Sequence, residues 1–215
     1  TPNAHWRLET GIDHQQNQHS ARSASSMMGT PSLSGVARVD DMNFSSTGLF
    51  VEANRHLEGE HSLHLGARVN YDQAEDTRTS KSTYQETDTH WLSSGFIRYE
   101  HQQTAHTRLY AGLGHSQRAA DYWERTRNPT AALTTDSTFN VNPERTTQLD
   151  IGALHKQEHI EASVSAFVAQ HQDYILIETL SGNATNARNI RALTLGGEAE
   201  LQWKTTDNIK TLSAL

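Results

Sequence analysis

The sequence predicts an all-β fold: the wall of an antiparallel transmembrane β-barrel, about eight strands wide, with long extracellular loops. Three observations carry the prediction. Apolar and polar residues alternate at period 2 in one segment after another. The connections between those segments are short and long in turn. Only 34% of the 215 residues are hydrophobic, and mean hydropathy is -0.71. A soluble domain is usually nearer half apolar. Disorder would explain such polarity, yet β-branched and aromatic residues recur at regular places. A barrel wall needs only every second residue apolar, because its other face lines a wet lumen.

The strands follow in order. Trp6, Leu8 and Ile12 mark the first, over 5–13, and Leu49, Val51 and Ala53 the second. Leu63, Leu65, Ala67, Val69 and Tyr71 share one face of the third, with His64, Gly66, Arg68 and Asn70 on the other. Ile97 and Tyr99 mark the fourth, and Leu109, Ala111 and Leu113 the fifth. Leu149, Ile151 and Ala153 mark the sixth; Ile160, Ala162, Val164, Ala166 and Val168 mark the seventh. Leu193, Leu195, Ala199, Leu201 and Trp203 mark the eighth, and Thr211–Leu215 reads as the start of another strand. An α-helix over 160–168 would scatter its apolar residues around the axis.

Short polar turns fall at Leu57–His61, His101–Thr107 and Lys156–His159, and long polar connections at about 20–44, 73–89, 116–143 and 179–190. Tight periplasmic turns and long extracellular loops produce that alternation. Trp6, Tyr71, Trp91, Tyr99 and Trp203, near strand ends, fit interfacial girdles. Glu52, Asp150, Glu161, Glu198 and Glu200 fall on polar faces, where a wet lumen solvates them. Gly48, Gly66, Gly95, Gly112 and Gly152 read as lumen-side residues that relieve crowding on curved strands.

Net charge is -7, and no basic run tracks a phosphate backbone, so nucleic acid is not an expected partner. No apolar stretch approaches 18 residues, so no membrane-spanning helix is expected; barrel strands need only about 9–11 residues. The first residues, Thr1 to His5, lack a charged start and an apolar run, so either a leader has been removed or the chain begins inside a longer protein. Zero cysteines exclude thiolate metal sites and disulfides within these residues.

Three segments carry a family resemblance. Gly112-Leu113-Gly114-His115-Ser116-Gln117-Arg118-Ala119-Ala120-Asp121-Tyr122-Trp123-Glu124 resembles a strand-to-loop segment of TonB-dependent copper receptors. Asn142 to Gly152 resembles the N-x-x-P-E strand opening widespread in TonB-dependent receptors, and Gly196-Gly197-Glu198-Ala199-Glu200-Leu201 is similar to their G-x-E strands. Ala119-Ala120 departs from the aromatic-Pro pair expected there. The resemblance implies a barrel of 22 strands with a plugged lumen. It also implies a plug of roughly 150 residues, the size expected of a domain, and a segment contacting the TonB complex. Residues 1–215 would then be barrel alone, a transporter wall in the bacterial outer membrane, touching membrane lipid and a metal ion or metal chelate. Copper is the cargo the subfamily implies, and no enzymatic chemistry is expected.

Candidate site residues follow from donor chemistry. His14, His19, Met27 and Met28 group near the outer end of the first strand, and imidazole and thioether are soft donors that suit copper. The plainer alternative is that Met27 and Met28 are apolar content of a loop and His19 is solvated. His115 precedes an outer loop, as a ligand contact or a lumen-facing polar residue. Residues 119–127 read as a short helix within an extracellular loop, with Tyr122 and Trp123 contacting a ligand or, more economically, packing the loop itself. Histidines 56, 61, 64, 101, 106, 155 and 159 flank periplasmic turns. Neither a fixed carboxylate pair nor a nucleophile elbow is present. Alternatives with other consequences are a siderophore receptor, a complete eight-stranded structural or adhesive barrel closed between 5–13 and 192–203, and a soluble β-sandwich.

Overall fold

The computed structural model describes residues 6–23, 26–27, 30–31, 37–57, 59–79, 81–127, 138–180, 184–206 and 209–214. Nine strands form a single antiparallel sheet: β1 Trp6–Ser23, β4 Ala37–Leu57, β5 His61–Asp76, β6 Thr87–Thr104, β7 Thr107–Arg118, β8 Glu144–Gln157, β9 Ile160–Thr179, β10 Thr185–Thr206 and β11 Ile209–Ala214. Each strand pairs with its sequence neighbours, in an up-and-down meander with β1 and β11 on the two edges. A two-residue ribbon joins β2 Ser26–Met27 to β3 Thr30–Pro31, and α1 Tyr122–Arg125 is one helical turn.

Register fixes the faces. Ile12 opposes Leu49, Leu49 opposes Val69, and Leu65 opposes Ile97. Ile97 opposes Leu113, Leu113 opposes Leu149, Leu149 opposes Val168 and Val168 opposes Leu195. One face is therefore a continuous apolar band whose large side chains are exposed, Trp91 to 72% and Leu195 to 75%. Exposed apolar surface on this scale needs an apolar solvent, which a bilayer supplies. Trp6, Tyr71, Trp91, Tyr99 and Trp203 all project from this outward face, with Tyr71 and Trp91 in contact at 5.0 Å between rings. The opposite, inward face carries charged side chains across the band, among them Glu52, Arg68, Arg98, Asp150 and Glu200. Gly95 pairs with Ala67 and His115 and so lies outward, unlike the lumen-side position expected for it.

Two expectations need correction. The connections expected at 20–44 and 179–190 are largely strand, because β1 and β4 run on to Ser23 and back from Ala37, and β10 begins at Thr185. Above the membrane both faces meet water, so the apolar alternation disappears while the hydrogen-bonded ladder continues. The closed eight-stranded barrel requires β1 to pair with β10; instead β10 lies between β9 and β11. A sandwich is also excluded, since the apolar faces belong to one sheet and do not meet.

Candidate functional site

The outer end of the inward face is where the chain builds a three-dimensional constellation. The loop after β7 turns back onto the sheet through α1. Asp121 caps this turn: its side chain accepts from the Glu124 backbone N–H at 2.8 Å, and the Glu124 carboxylate accepts from the Asp121 N–H at 2.8 Å. Tyr122 then packs with Met42, Ala74 and Phe139, with Phe44 beside them. Arg125, 1% exposed, fixes the loop below: it donates to Asp88 at 2.6 Å, to the Phe139 carbonyl at 2.6 Å and to the Ala120 carbonyl at 3.0 Å. Thr138 closes the far side by donating to the Glu124 carbonyl at 2.6 Å. A buried guanidinium is tolerable only with partners of this quality.

Arg118, at the outer end of β7, ties loop to wall. It makes a two-pronged contact with Glu124, both at 2.9 Å, and reaches Glu144 on β8 at 2.9 Å. The hydrogen bonds to Glu124, with the added charge of Glu144, push its pKa further above the ordinary arginine value, so it stays cationic. Beneath the loop a cavity of about 130 Å³ is lined by Phe44, Ala74 and Ala120 together with Asp72, Asp88 and His90. His90 lies 2.8 Å from Asp88, which also binds Arg125.

Lower on the inward face, rings cover glycines from the neighbouring strand: Phe50 opposes Gly11, Phe96 opposes Gly66, Tyr110 opposes Gly152 and Phe167 opposes Gly196. Arg98 stands 4.0 Å above the Tyr110 ring, and Arg68 makes a bidentate pair with Asp13 at 2.7 and 2.8 Å. These contacts leave a shallow concavity of about 530 Å³ between Phe50, Glu52, Arg68, Phe96 and Asp150.

The sequence-predicted residues separate in space. His19 faces inward, stacked on Tyr122 at 4.7 Å and edge-on to Phe44 at 5.6 Å. His14 has the opposite parity, so it projects outward and pairs with Thr47 at 2.9 Å; the strand cannot turn both imidazoles to one ion. The Met27 side chain and Met28 lie outside the described residues. His115 projects outward beside Thr147, at 2.9 Å, not into the lumen. Tyr122 and Trp123 part company, the first buried in the loop packing and the second 62% exposed. The short helix expected over 119–127 is α1.

Met42 was not singled out by the sequence pattern, yet it is the cross-strand partner of His19 and is 0% exposed. Its position seven residues before the apolar run at Leu49 has the inward parity, a signal available to anyone counting back along the strand. Among the described residues no three His, Asp or Glu side chains gather at metal-binding spacing. Among the described residues the inward face presents polar groups, an arginine-latched loop and one imidazole–thioether register pair.

An open, meandering sheet with a lipid-type outer face, a polar inner face and an infolded external loop is a section of transmembrane barrel wall. The chain belongs to the TonB dependent receptor-like β-barrel family, whose model matches residues 2–214. It is similar to the solved structure of the copper transporter OprC, with 32% identity, a TM-score of 0.84 and 97% of this chain covered. The ferripyoverdine receptor of the outer membrane of Pseudomonas aeruginosa bears the same fold at 14% identity and TM-score 0.72, covering 97% of this chain. The FrpB iron transporter from Neisseria meningitidis does so at 14% and 0.64, covering 94%. The chain spans about a third of each, 34%, 29% and 31% in that order. No curated protein sequence matches it.

Proposed function

We propose that this chain is part of the barrel wall of a TonB-dependent transporter in the bacterial outer membrane, and that its cargo is copper. The observation that carries the cargo is the 32% identity to a copper transporter, against 14% for the iron-related structures. Residues 1–215 act as barrel wall alone in this reading; the plug and the contact with the TonB complex belong to the rest of the receptor. No step of bond-making chemistry is assigned to the wall. It supplies a lumen in which ions and carboxylates stay solvated, an external loop, and soft donors at the outer end.

The donors proposed are His19, Met27 and Met28, joined by Met42, whose register with His19 brings a thioether beside the imidazole. Such a set favours Cu(I) over harder ions. His115, Tyr122 and Trp123 were candidates for ligand contact; of these the exposed Trp123 is best placed, since Tyr122 is committed to the loop and His115 faces outward.

The test is copper accumulation by copper-starved cells that depend on the intact receptor. Replacing His19 and Met42 by Ala should lower uptake several-fold with the receptor still present in the outer membrane. Copper accumulation unchanged by loss of the receptor, with iron-chelate accumulation reduced instead, would favour the siderophore reading that the structural likeness to iron receptors supports.

A further inference from the structure

Seven of the thirteen histidines, at 56, 61, 64, 101, 106, 155 and 159, stand at the short-turn end of the wall. Several are committed to neighbours. His64 lies 2.6 Å from Asn54 Oδ1 and 3.9 Å from Glu100, and the rings of His61 and His101 overlap at 4.5 Å and 19°. His106 and His155 are arranged otherwise. Their rings stand 6.4 Å apart and tilted by 58°, and neither has an ion-pair partner among the described residues.

The wall brings this pair together and sets its tautomers. His106 sits in the turn between β6 and β7, and its carbonyl accepts the Lys156 N–H at 2.8 Å. Its Nδ1 lies 3.1 Å from the Lys156 carbonyl, an oxygen that only accepts, so Nδ1 carries the hydrogen and Nε2 keeps its lone pair. His155 on β8 has its Nδ1 2.9 Å from the Thr107 hydroxyl, which can accept a hydrogen in the same way. Metal-ligating imidazoles are held by such a contact at the other ring nitrogen. Metal–imidazole bonds of about 2 Å put two rings that grip one ion from opposite sides about 6 Å apart between centroids, close to the separation here. Both residues also line a hollow of about 640 Å³ with Arg108, Lys156, Glu161 and Glu200. Lys156 is matched by Glu161 and Arg108 by Glu100, each at 3.3 Å. Glu200 is then the unmatched charge of the hollow among the described residues, and it draws a cation there.

We propose that His106 and His155 hold one copper(I) ion between their Nε2 atoms, as a release site at the periplasmic end of the wall. Imidazole suits copper, zinc and nickel alike. Zinc takes four ligands, and among the described residues no third His, Asp or Glu joins the pair at metal-binding spacing. Copper(I) is satisfied by two ligands in line. The choice of ion and the role in release rest on the copper reading above; the pairing of the two imidazoles does not.

The test uses the intact receptor, titrated with silver(I) as a redox-inert probe for copper(I). Free histidines are then carbethoxylated with diethyl pyrocarbonate and mapped by mass spectrometry. His106 and His155 should become protected together, at one silver concentration. His155→Gln should raise the concentration that protects His106 by about tenfold or more, His106→Gln should do the same to His155, and His159→Gln, at the neighbouring turn, should move neither. All variants should keep the heat-modifiable gel mobility of a folded barrel. Protection of His106 unmoved by His155→Gln would overturn the site, as would midpoints for the two histidines that differ tenfold in the unaltered receptor. In copper-starved cells the folded double variant should accumulate several-fold less copper; unchanged accumulation would overturn the release role. Copper accumulation that does not depend on the receptor at all would overturn the cargo reading and the release role with it, while paired protection would still uphold the two-imidazole site.

Discussion

Val164→Arg tests the assignment of faces at its most sensitive point. Val164 is the fifth residue of β9, mid-way along the apolar run from Ile160 to Val168, and 54% exposed. In a bilayer that exposure is to hydrocarbon. Arginine on the lipid face near the midplane costs about 2–4 kcal/mol, a factor of roughly 30 to 700 in the folding equilibrium. Ser163→Arg is the matched control. Ser163 is one residue away on the inward face, opposite Glu200, so the new guanidinium would meet water and a carboxylate. Its cost should stay within about 0.5 kcal/mol, as for an ordinary exposed substitution. The assay is refolding of the intact receptor into lipid vesicles across a denaturant series, read by heat-modifiable gel mobility. Equal cost for the two substitutions would refute the assignment of Val164 to lipid and Ser163 to the lumen.

Other consequences follow from the inward face. Arg125→Met removes a buried guanidinium that serves Asp88 and two carbonyls. Leaving Asp88 and these acceptors unmatched should destabilise the 119–143 loop by about 3–5 kcal/mol, seen as faster hydrogen exchange in α1 with β8 and β9 unchanged; unchanged exchange in α1 would count against the latch. Gly152→Ala places a methyl 2.5 Å from the Tyr110 ring. The ring must shift from beneath Arg98, at an overpacking cost of about 1–3 kcal/mol, measurable as a lower denaturation midpoint. Above the membrane, Glu178 accepts from Asn186 at 3.2 Å and Arg188 at 2.9 Å, and these bonds hold its carboxyl below the ordinary value. A lowered pKa stabilises the fold above the unfolded-state value, about 4.3 for Glu, and that stability is lost as pH falls through the folded-state value. Proteolysis of the β9–β10 hairpin tip should therefore accelerate as pH drops below the ordinary glutamate range, and Glu178→Gln should remove that pH dependence.

The membrane-spanning wall was legible because a single physical demand, lipid on one side and water on the other, writes period 2 into the residues. Leu63 to Tyr71 and Ile160 to Val168 alternate because every second side chain meets hydrocarbon. Above the bilayer that demand ends. The outer ends of β1 and β4, within residues 20–44, read as loop, although the ladder continues there as far as Ser23 and Ala37, with one shift of register between Ala21 and Arg22. The infolded loop was legible only in part. Its capping box, Asp121 to Glu124, is local and visible in sequence; the burial of Arg125 against Asp88 and Phe139 joins segments far apart along the chain. The outward position of His115 could have been read by counting parity from Leu109, Ala111 and Leu113. The pairing of His19 with Met42 could not, because register across a long connection is set by the whole ladder and not by either residue.

The central claim is that alternate residues of one continuous wall face lipid and lumen. Within this chain there is no native cysteine, so single cysteines placed in turn from 160 to 168 in the intact receptor can each carry a spin label in membranes. Collision with oxygen, which concentrates in lipid, and with a water-soluble nickel chelate should then alternate out of phase. The account predicts oxygen maxima at 160, 162, 164, 166 and 168 and nickel maxima at 161, 163, 165 and 167. Accessibility that is uniform along these residues, or that rises and falls every three to four, would contradict it.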